Sequence, residues 1–369
     1  MKYYLIAGEA SGDLHASNLM KALKKIDPRA EFRYWGGSRM EEVEGQLVQH
    51  YREVSFMGFW EVARNIVALV RHLRRCKQDI KAWQPDVVIP VDFPGFNLRI
   101  TKFVARLGIP VCYYISPQLW AWKSSRVRLI RRYVQRMICI LPFEVEFYRK
   151  HGIEVDFVGH PLLDSLKSAD ARPSQQEDRP VVALLPGSRR QEVAATLPVM
   201  ISVASHFPDY QFVICGVSAI ERSVYDRIMA GSDIRLVVDR TEQILSQAHA
   251  ALITSGTATL QAALLDVPQV VCYKGGALSY FIGRRLVRVK YIALVNLLMD
   301  KKVVDELIQN DLTRNNIISA LTKVLAGPAK QAMLGDYTQL RQKLGKAGAS
   351  HRAAQIVYDV AAEHSSGRS

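Results

Sequence analysis

The sequence predicts an α/β protein built from two Rossmann-like domains in tandem, facing a central cleft. Three observations predict it. Short runs rich in Val, Ile and Tyr alternate with longer amphipathic stretches, the pattern of a parallel sheet covered on both faces by helices. Near the middle, Asp164–Arg179 (DSLKSADARPSQQEDR) is polar and without period, as a linker would be. The halves on either side of it open alike, with a strand, a small-residue turn and a helix. The length of 369 residues agrees with two domains at roughly 150 residues each. The expected boundaries are 1–165 for the first domain, 178–335 for the second and 336–369 for C-terminal helices, whose return to the first domain stays open.

Taken in order, Lys2–Ala7, Asp86–Val91, Ile109–Ile115 and Met137–Leu141 read as buried strands bounded by Gly or Pro. Helices are expected at Leu14–Ile26, Glu61–Trp83 and Leu98–Leu107, where apolar residues recur at helical spacing. After the linker, Val181–Leu185, Gln211–Cys215, Ile234–Val238, Ala250–Thr254 and Gln269–Tyr273 read as strands with helices between them. Asp336–Glu363 reads as helix. Ligands of such sheets sit at the carboxyl ends of the strands, where the crossovers diverge, so the turns there are the candidates for chemistry.

Composition narrows the class. Hydrophobic residues at 49% and charged residues at 23% describe a globular chain. The cysteines Cys76, Cys112, Cys139, Cys215 and Cys272 form no C-x-x-C pair and mostly sit in apolar runs, which excludes a disulfide framework or zinc site and points to a reducing compartment. The start, MKYYLIAGEASGD, reads as a first strand rather than a secretory signal, and no run has the 18 or so apolar residues of a membrane span. The expectation is a soluble or peripheral cytoplasmic protein. The net charge of +14 calls for nucleic acid, anionic lipid or a phosphorylated substrate.

Two turns in the first half carry candidates. Gly8-Glu-Ala-Ser-Gly12 opens a helix and lets backbone approach a ligand closely, with Ser11 and Gly12 at the ligand; the alternative is a plain turn capped by Ser11 or Asp13. It lacks dinucleotide spacing, and no G-x-x-x-x-G-K-[ST] occurs anywhere. Val91-Asp-Phe-Pro-Gly-Phe-Asn97 places Asp92 at the end of a buried strand, as a general base or as an Asx-turn residue. Ser116-Pro-Gln-Leu-Trp-Ala-Trp122 offers Ser116, Gln118, Trp120 and Trp122 either to an acceptor pocket or to packing at the domain edge.

In the second half, Pro186-Gly-Ser-Arg189 pairs a helix N-terminus with a guanidinium suited to diphosphate, contributed by Gly187, Ser188 and Arg189. Ser255-Gly-Thr257 forms a similar turn, with Gln261 one helical turn further on and within reach of a ribose. No Asp-x-Asp metal motif is present, so no metal and no cofactor are expected.

The basic run Arg64–Lys77 contains no acid and follows Phe56-Met-Gly-Phe-Trp60. Aromatics beside a basic amphipathic helix suit a membrane interface, with Phe56, Met57, Phe59 and Trp60 in the apolar layer and Arg64 and Arg71 at anionic headgroups. A solvated helix face is the plainer account. Lys123–Arg136 and Arg284–Lys290 are further basic runs, but no RRM, zinc-finger or helix-turn-helix signature supports nucleic acid as partner.

Together AGEASGD, VDFPGFN, YYISPQLWAWKSSR, ILPFEVEFY, FVGHPLLD, LLPGSRRQEV, SGTATLQ and YIALVNLLMDKKVVDEL resemble the lipid-A-disaccharide synthase family, in its order, over essentially the whole chain. The resemblance implies a GT-B inverting glycosyltransferase. Such an enzyme joins UDP-2,3-diacylglucosamine to 2,3-diacylglucosamine 1-phosphate and releases UDP and a β-1,6-linked disaccharide 1-phosphate. It implies Asp92 as catalytic base, Arg189 and Asn296 in the UDP-binding half, and a peripheral position on the inner face of the Gram-negative inner membrane. A homodimer through the C-terminal helices is left open. The chain departs from the family pattern at Gly95, where a second aspartate is common, and at Gln261, where a glutamate is common. The rival expectations are another GT-B transferase using UDP-N-acetylglucosamine, a UDP-sugar epimerase, or a nucleotide or nucleic-acid binder without chemistry.

Overall fold

The computed structural model describes residues 1–53, 66–122, 124–166, 179–275 and 290–367. They form two compact units, Met1–Asp164 with Lys346–Ser369, and Ser165–Gly345.

Unit 1 runs β1 (Lys2–Ala7), α1 (Ala10–Ile26), β2 (Glu31–Gly36), α2 (Ser38–Glu41), β3 (Gln46–His50), α3 (Ile66–Trp83), β4 (Val87–Val91), α4 (Pro94–Arg106), β5 (Cys112–Tyr114), α5 (Leu119–Trp122), α6 (Val127–Tyr133), β6 (Arg136–Cys139), α7 (Pro142–Arg149) and β7 (Asp156–Phe157). Its sheet is parallel, in the order β3-β2-β1-β4-β5-β6-β7. Every residue of β4 and nearly every residue of β1 is buried, as central strands with helices on both faces require. The apolar face of α3 puts Leu69, Cys76 and Ile80 into a core with Tyr4, Trp35 and Ile100. β2, β3 and β7 were not among the expected strands. β2 carries Glu31 and Arg33 beside its buried residues, and the Arg33 guanidinium pairs with Asp79 of α3.

Unit 2 runs β8 (Val181–Leu185), α8 (Arg190–Ile201), β9 (Gln211–Gly216), α9 (Arg222–Met229), β10 (Arg235–Val238), α10 (Thr241–Gln247), β11 (Ala248–Ile253), α11 (Thr257–Leu264), β12 (Gln269–Tyr273), α12 (Leu294–Met299), β13 (Asp305–Ile308), α13 (Arg314–Leu325) and α14 (Pro328–Leu344). The sheet is again parallel, in the order β10-β9-β8-β11-β12-β13. β13, an edge strand of half-buried residues, was also not expected.

The C-terminal segment divides between the units at Gly345. α14 packs on unit 2, while the last helix, α15 (Ala349–Ser366), packs against α1, β4 and β5 of unit 1. Its inner face is lined by Ala349, Ala353, Ala354, Val357 and Ala361, small residues that allow a close approach to α1. The Asp164 carboxylate accepts the N–H groups of Gly348, Ala349 and Ser350 at the start of α15. Arg352 donates to the Val158 carbonyl as well as to those of Lys346 and Ala347. Among the described residues no helix is long and apolar enough to cross a membrane.

Candidate active site

Each sheet reverses its strand order once, between β1 and β4 in unit 1 and between β8 and β11 in unit 2. Such switch points open a crevice at the carboxyl ends of the strands. The four candidate turns follow these four strands: Gly8–Gly12 after β1, Asp92–Asn97 after β4, Pro186–Arg189 after β8 and Ser255–Thr257 after β11.

Asp92 leaves β4 in the left-handed region, with φ of 45°, and Phe93 follows at 49°. Two such residues in succession are strained and hold only where the surroundings fix them. The fixing is visible. The Asp92 N–H donates to the Tyr114 carbonyl at 3.1 Å, while its own carbonyl accepts from Tyr113 Oη at 2.6 Å and from Asn97 Nδ2 at 2.8 Å. Asn97, fully buried, also reaches the carbonyls of Ile6 and Val91 and so stitches the ends of β1 and β4 together. The Phe93 ring lies over Gly8, where a Cβ would overlap it, so the first turn needs glycine for this close approach. Burial pushes the Asp92 carboxyl up to about 7; the Glu9 carboxylate adds to the rise and the Phe93 N–H opposes it. The carboxyl is thus balanced near neutrality, as a general base should be.

In the first turn, Gly12 is buried against Ala7 and Val91, and Ser11 is exposed. Asp13 is occupied elsewhere, accepting the N–H groups of Gly37, Arg39 and Met40 at the start of α2. Ser116 is buried and hydrogen-bonded to Tyr148 Oη at 2.9 Å, so it serves packing in this unit rather than facing a ligand. Gln118 is exposed, and Trp120 stands edge-on to Phe143 at 4.9 Å. Beside them sequence reasoning missed Glu144, buried at the start of α7, whose carboxyl burial pushes up to about 8 against the Leu141 N–H that donates to it. The F-E pair of ILPFEVEFY was its only signal.

In unit 2 a hydroxyl chain joins the two turns. Thr196 of α8, fully buried, donates to the Pro186 carbonyl at 3.0 Å and receives Thr254 Oγ1 at 3.4 Å. The expectation for the first of these turns needs correction. The N–H groups of Ser188 and Arg189 both donate to the Glu192 carboxylate, at 3.2 and 3.3 Å, which wraps the turn around its own helix. Gly187, at φ 106°, permits this wrap. What the turn offers outward is the Arg189 side chain, 70% exposed and paired with Glu192 at 3.3 Å. The second turn is different: Gly256 caps α11 without any side-chain cap bond, and Gly256 and Thr257 are exposed. Gln261 lies half-buried one turn along.

Asn296 also needs correction, because its amide is spent inside the protein. Its oxygen accepts the N–H groups of Val303 and Val304 at 2.8 and 2.9 Å, and its nitrogen donates to the Val304 carbonyl and to Glu306, both at 2.9 Å. It is fully buried and holds backbone rather than presenting a group to a ligand. Phe56, Met57, Phe59, Trp60 and Arg64 lie outside the described residues, as does the side chain of Trp122. Arg71 is described and exposed on α3. It lies beside Val67 at 69% exposure and Val70 at 40%, and these line a groove of about 540 Å³ with Arg74, Arg75 and Gln78.

A family model, Lipid-A-disaccharide synthetase, matches residues 3–360. The chain belongs to this family. It is 38% identical to the Lipid-A-disaccharide synthase of Myxococcus xanthus, with 96% of each chain covered, and 39% identical to that of Syntrophus aciditrophicus, with 95% of each covered. The family is one of hexosyltransferases, which makes this chain an enzyme of lipid A biosynthesis by kinship. Solved structures share the fold at low identity. The S. aureus MnaA–UDP co-structure superposes with a TM-score of 0.67 at 13% identity, covering 95% of this chain and 94% of that one. The glycotransferase of kitacinnamycin does so at 0.66 and 13%, covering 97% and 98%. Two parallel-sheet α/β units of this kind make up the GT-B fold. Gly95 lies in the first turn of α4, after Asp92. It faces open space, and no described residue would meet a side chain there.

Proposed function

We propose that the chain transfers the 2,3-diacylglucosamine group of UDP-2,3-diacylglucosamine to the 6-hydroxyl of 2,3-diacylglucosamine 1-phosphate. Kinship with the synthase family supports this, and the observation that carries it is Asp92, a carboxyl raised to about 7 in a turn held open at the switch point of unit 1. As the acceptor oxygen attacks the anomeric carbon, the Asp92 carboxylate takes its proton and the bond to UDP breaks on the opposite face. The configuration inverts to the β-linkage. In unit 2 the Arg189 guanidinium and the amides at Gly256–Thr257 meet the charge that grows on the leaving diphosphate.

Docking on an anionic bilayer is part of the same proposal, since both substrates carry acyl chains. Exposed Val67 and Val70 beside Arg71 and Arg74 on α3 support it: apolar residues for the acyl boundary and cations for headgroups on one helix. Phe56–Trp60 precede this helix in the chain. The resemblance to the synthase family adds to the proposal that this bilayer is the inner membrane and the face its cytoplasmic one.

The test supplies both acylated sugars to the purified chain. Disaccharide 1-phosphate and UDP should appear in equal amounts. Turnover of UDP-N-acetylglucosamine with no product from the diacyl pair would instead favour an epimerase or another transferase.

A further inference from the structure

We infer that Glu306 is a positioning residue for the nucleotide-binding turn Ser255–Thr257; this rests on the reading of that turn as the diphosphate site. Glu306 lies on β13 and has no place in the chemistry above. In register it sits beside Val271 of β12, which in turn sits beside Ile253, the last residue of β11. It therefore stands level with the end of the strand that leads into the turn, two residues short of Ser255.

Its carboxylate gathers donors. The Ile292 N–H donates to both oxygens at 3.1 and 3.2 Å, the Ala293 N–H donates at 2.9 Å, and Asn296 Nδ2 donates at 2.9 Å. Bonds to an ionised acceptor are the stronger kind, and these fix the segment entering α12. The same segment then passes the constraint on: the Ile292 carbonyl accepts from Ser255 Oγ at 2.9 Å. A continuous path thus runs from the Glu306 carboxylate through the Ile292 peptide unit to the side chain that opens the turn. Asn296 holds the other flank, binding Val303 and Val304 just before β13.

A serine tethered in this way fixes the orientation of the next two peptide units, whose N–H groups are those offered to diphosphate. Without the carboxylate the segment 292–293 loses its acceptor and Ser255 loses a fixed partner. The turn then presents its amides over a range of directions, and nucleotide affinity falls while the base in unit 1 is untouched.

The experiment measures UDP binding by titration calorimetry on the full chain, for the parent, Glu306→Gln, Ser255→Ala and the double variant. It also measures KM for each acylated substrate. Glu306→Gln keeps the shape but turns a donor toward Asn296 Nδ2 or toward the backbone N–H groups. The expected result is a weakening of UDP binding by about tenfold, the scale of one lost bond to a charged acceptor. The donor KM should rise in step and the acceptor KM stay level. Ser255→Ala removes only the last link. The double variant should bind little worse than Glu306→Gln alone, because the two act along one path. A folded Glu306→Gln protein with parental UDP affinity, lowered only in thermal midpoint, would overturn the inference and leave a structural role. Fully additive losses would also overturn it. A parent chain that binds no UDP would overturn the reading of the turn itself, and this inference with it.

Discussion

Replacing the Asp92 carboxyl by an amide of the same shape isolates its charge. Asp92→Asn is expected to lower kcat by about 10² to 10⁴ with little change in either KM, measured with both acylated substrates. The parent carries a second signature. The base works only when ionised, and burial and Glu9 hold its proton on up to about 7. Thus kcat/KM should climb with pH below about 7 and level above it. Glu9→Gln removes the repelling neighbour and should move that midpoint to lower pH; an unmoved midpoint would remove Glu9 from the site. At this scale much was legible in the sequence, because Asp92 ends an apolar run and precedes Pro-Gly. The partners of Asp92 were not legible. Tyr113 reaches its carbonyl only through the parallel alignment of β4 and β5, Asn97 reaches it from the first turn of α4, and Glu192 takes the amides of its own turn through a bond whose alternative, an open anion cradle, has the same sequence.

Among the elements, α3 carries both an anchor and an open apolar patch. Arg75, exposed at the same groove, reaches back to the carbonyl of Val48 and the side chain of Gln49 and ties the helix to β3, while Val67, Val70 and Arg71 are open to the surroundings. Val67→Ser with Val70→Ser should weaken binding to vesicles containing anionic lipid several-fold in sedimentation assays, with catalysis on detergent-dispersed substrates retained. Equal binding would move the docking surface to another basic run. The central strands were readable from their unbroken apolar runs, as in β1, β4 and β8. The edge strands β3 and β13 were not, since one open side lets them carry Gln46 and Glu306 and so lose the pattern, and β2, one strand in from the edge, was hidden because Glu31 and Arg33 break its apolar run. Glu306 gives no signal of its own in such a strand for this reason.

At the scale of the whole molecule, the joining of α15 to unit 1 can be tested twice. Asp164→Ala strips three N–H groups at the start of that helix of their acceptor and should cost about 1 to 2 kcal/mol in urea unfolding. Nearby, burial lowers His15 to about 4 and His160 to about 3, and the Leu162 N–H donates to His160 Nδ1, which must stay unprotonated. In the unfolded chain both titrate near 6.5. Between that value and their folded ones the unfolded state therefore binds more protons, and stability is lost as pH falls from about 6.5 toward 4. Urea midpoints at pH 7 and 5 check this. His160→Gln, if it folds, should flatten the dependence.

The order in which the chain is made gives that joining a further meaning. Unit 2 is continuous from Ser165 to Gly345, whereas unit 1 draws its closing helix from Lys346–Ser369, which are made after the whole of unit 2. Unit 1 is thus begun before unit 2 and completed after it. Until those residues are made, α1 waits with the face that α15 covers exposed, and a chain stopped short of Lys346 has a finished second unit but an unfinished first one, the unit that holds Asp92.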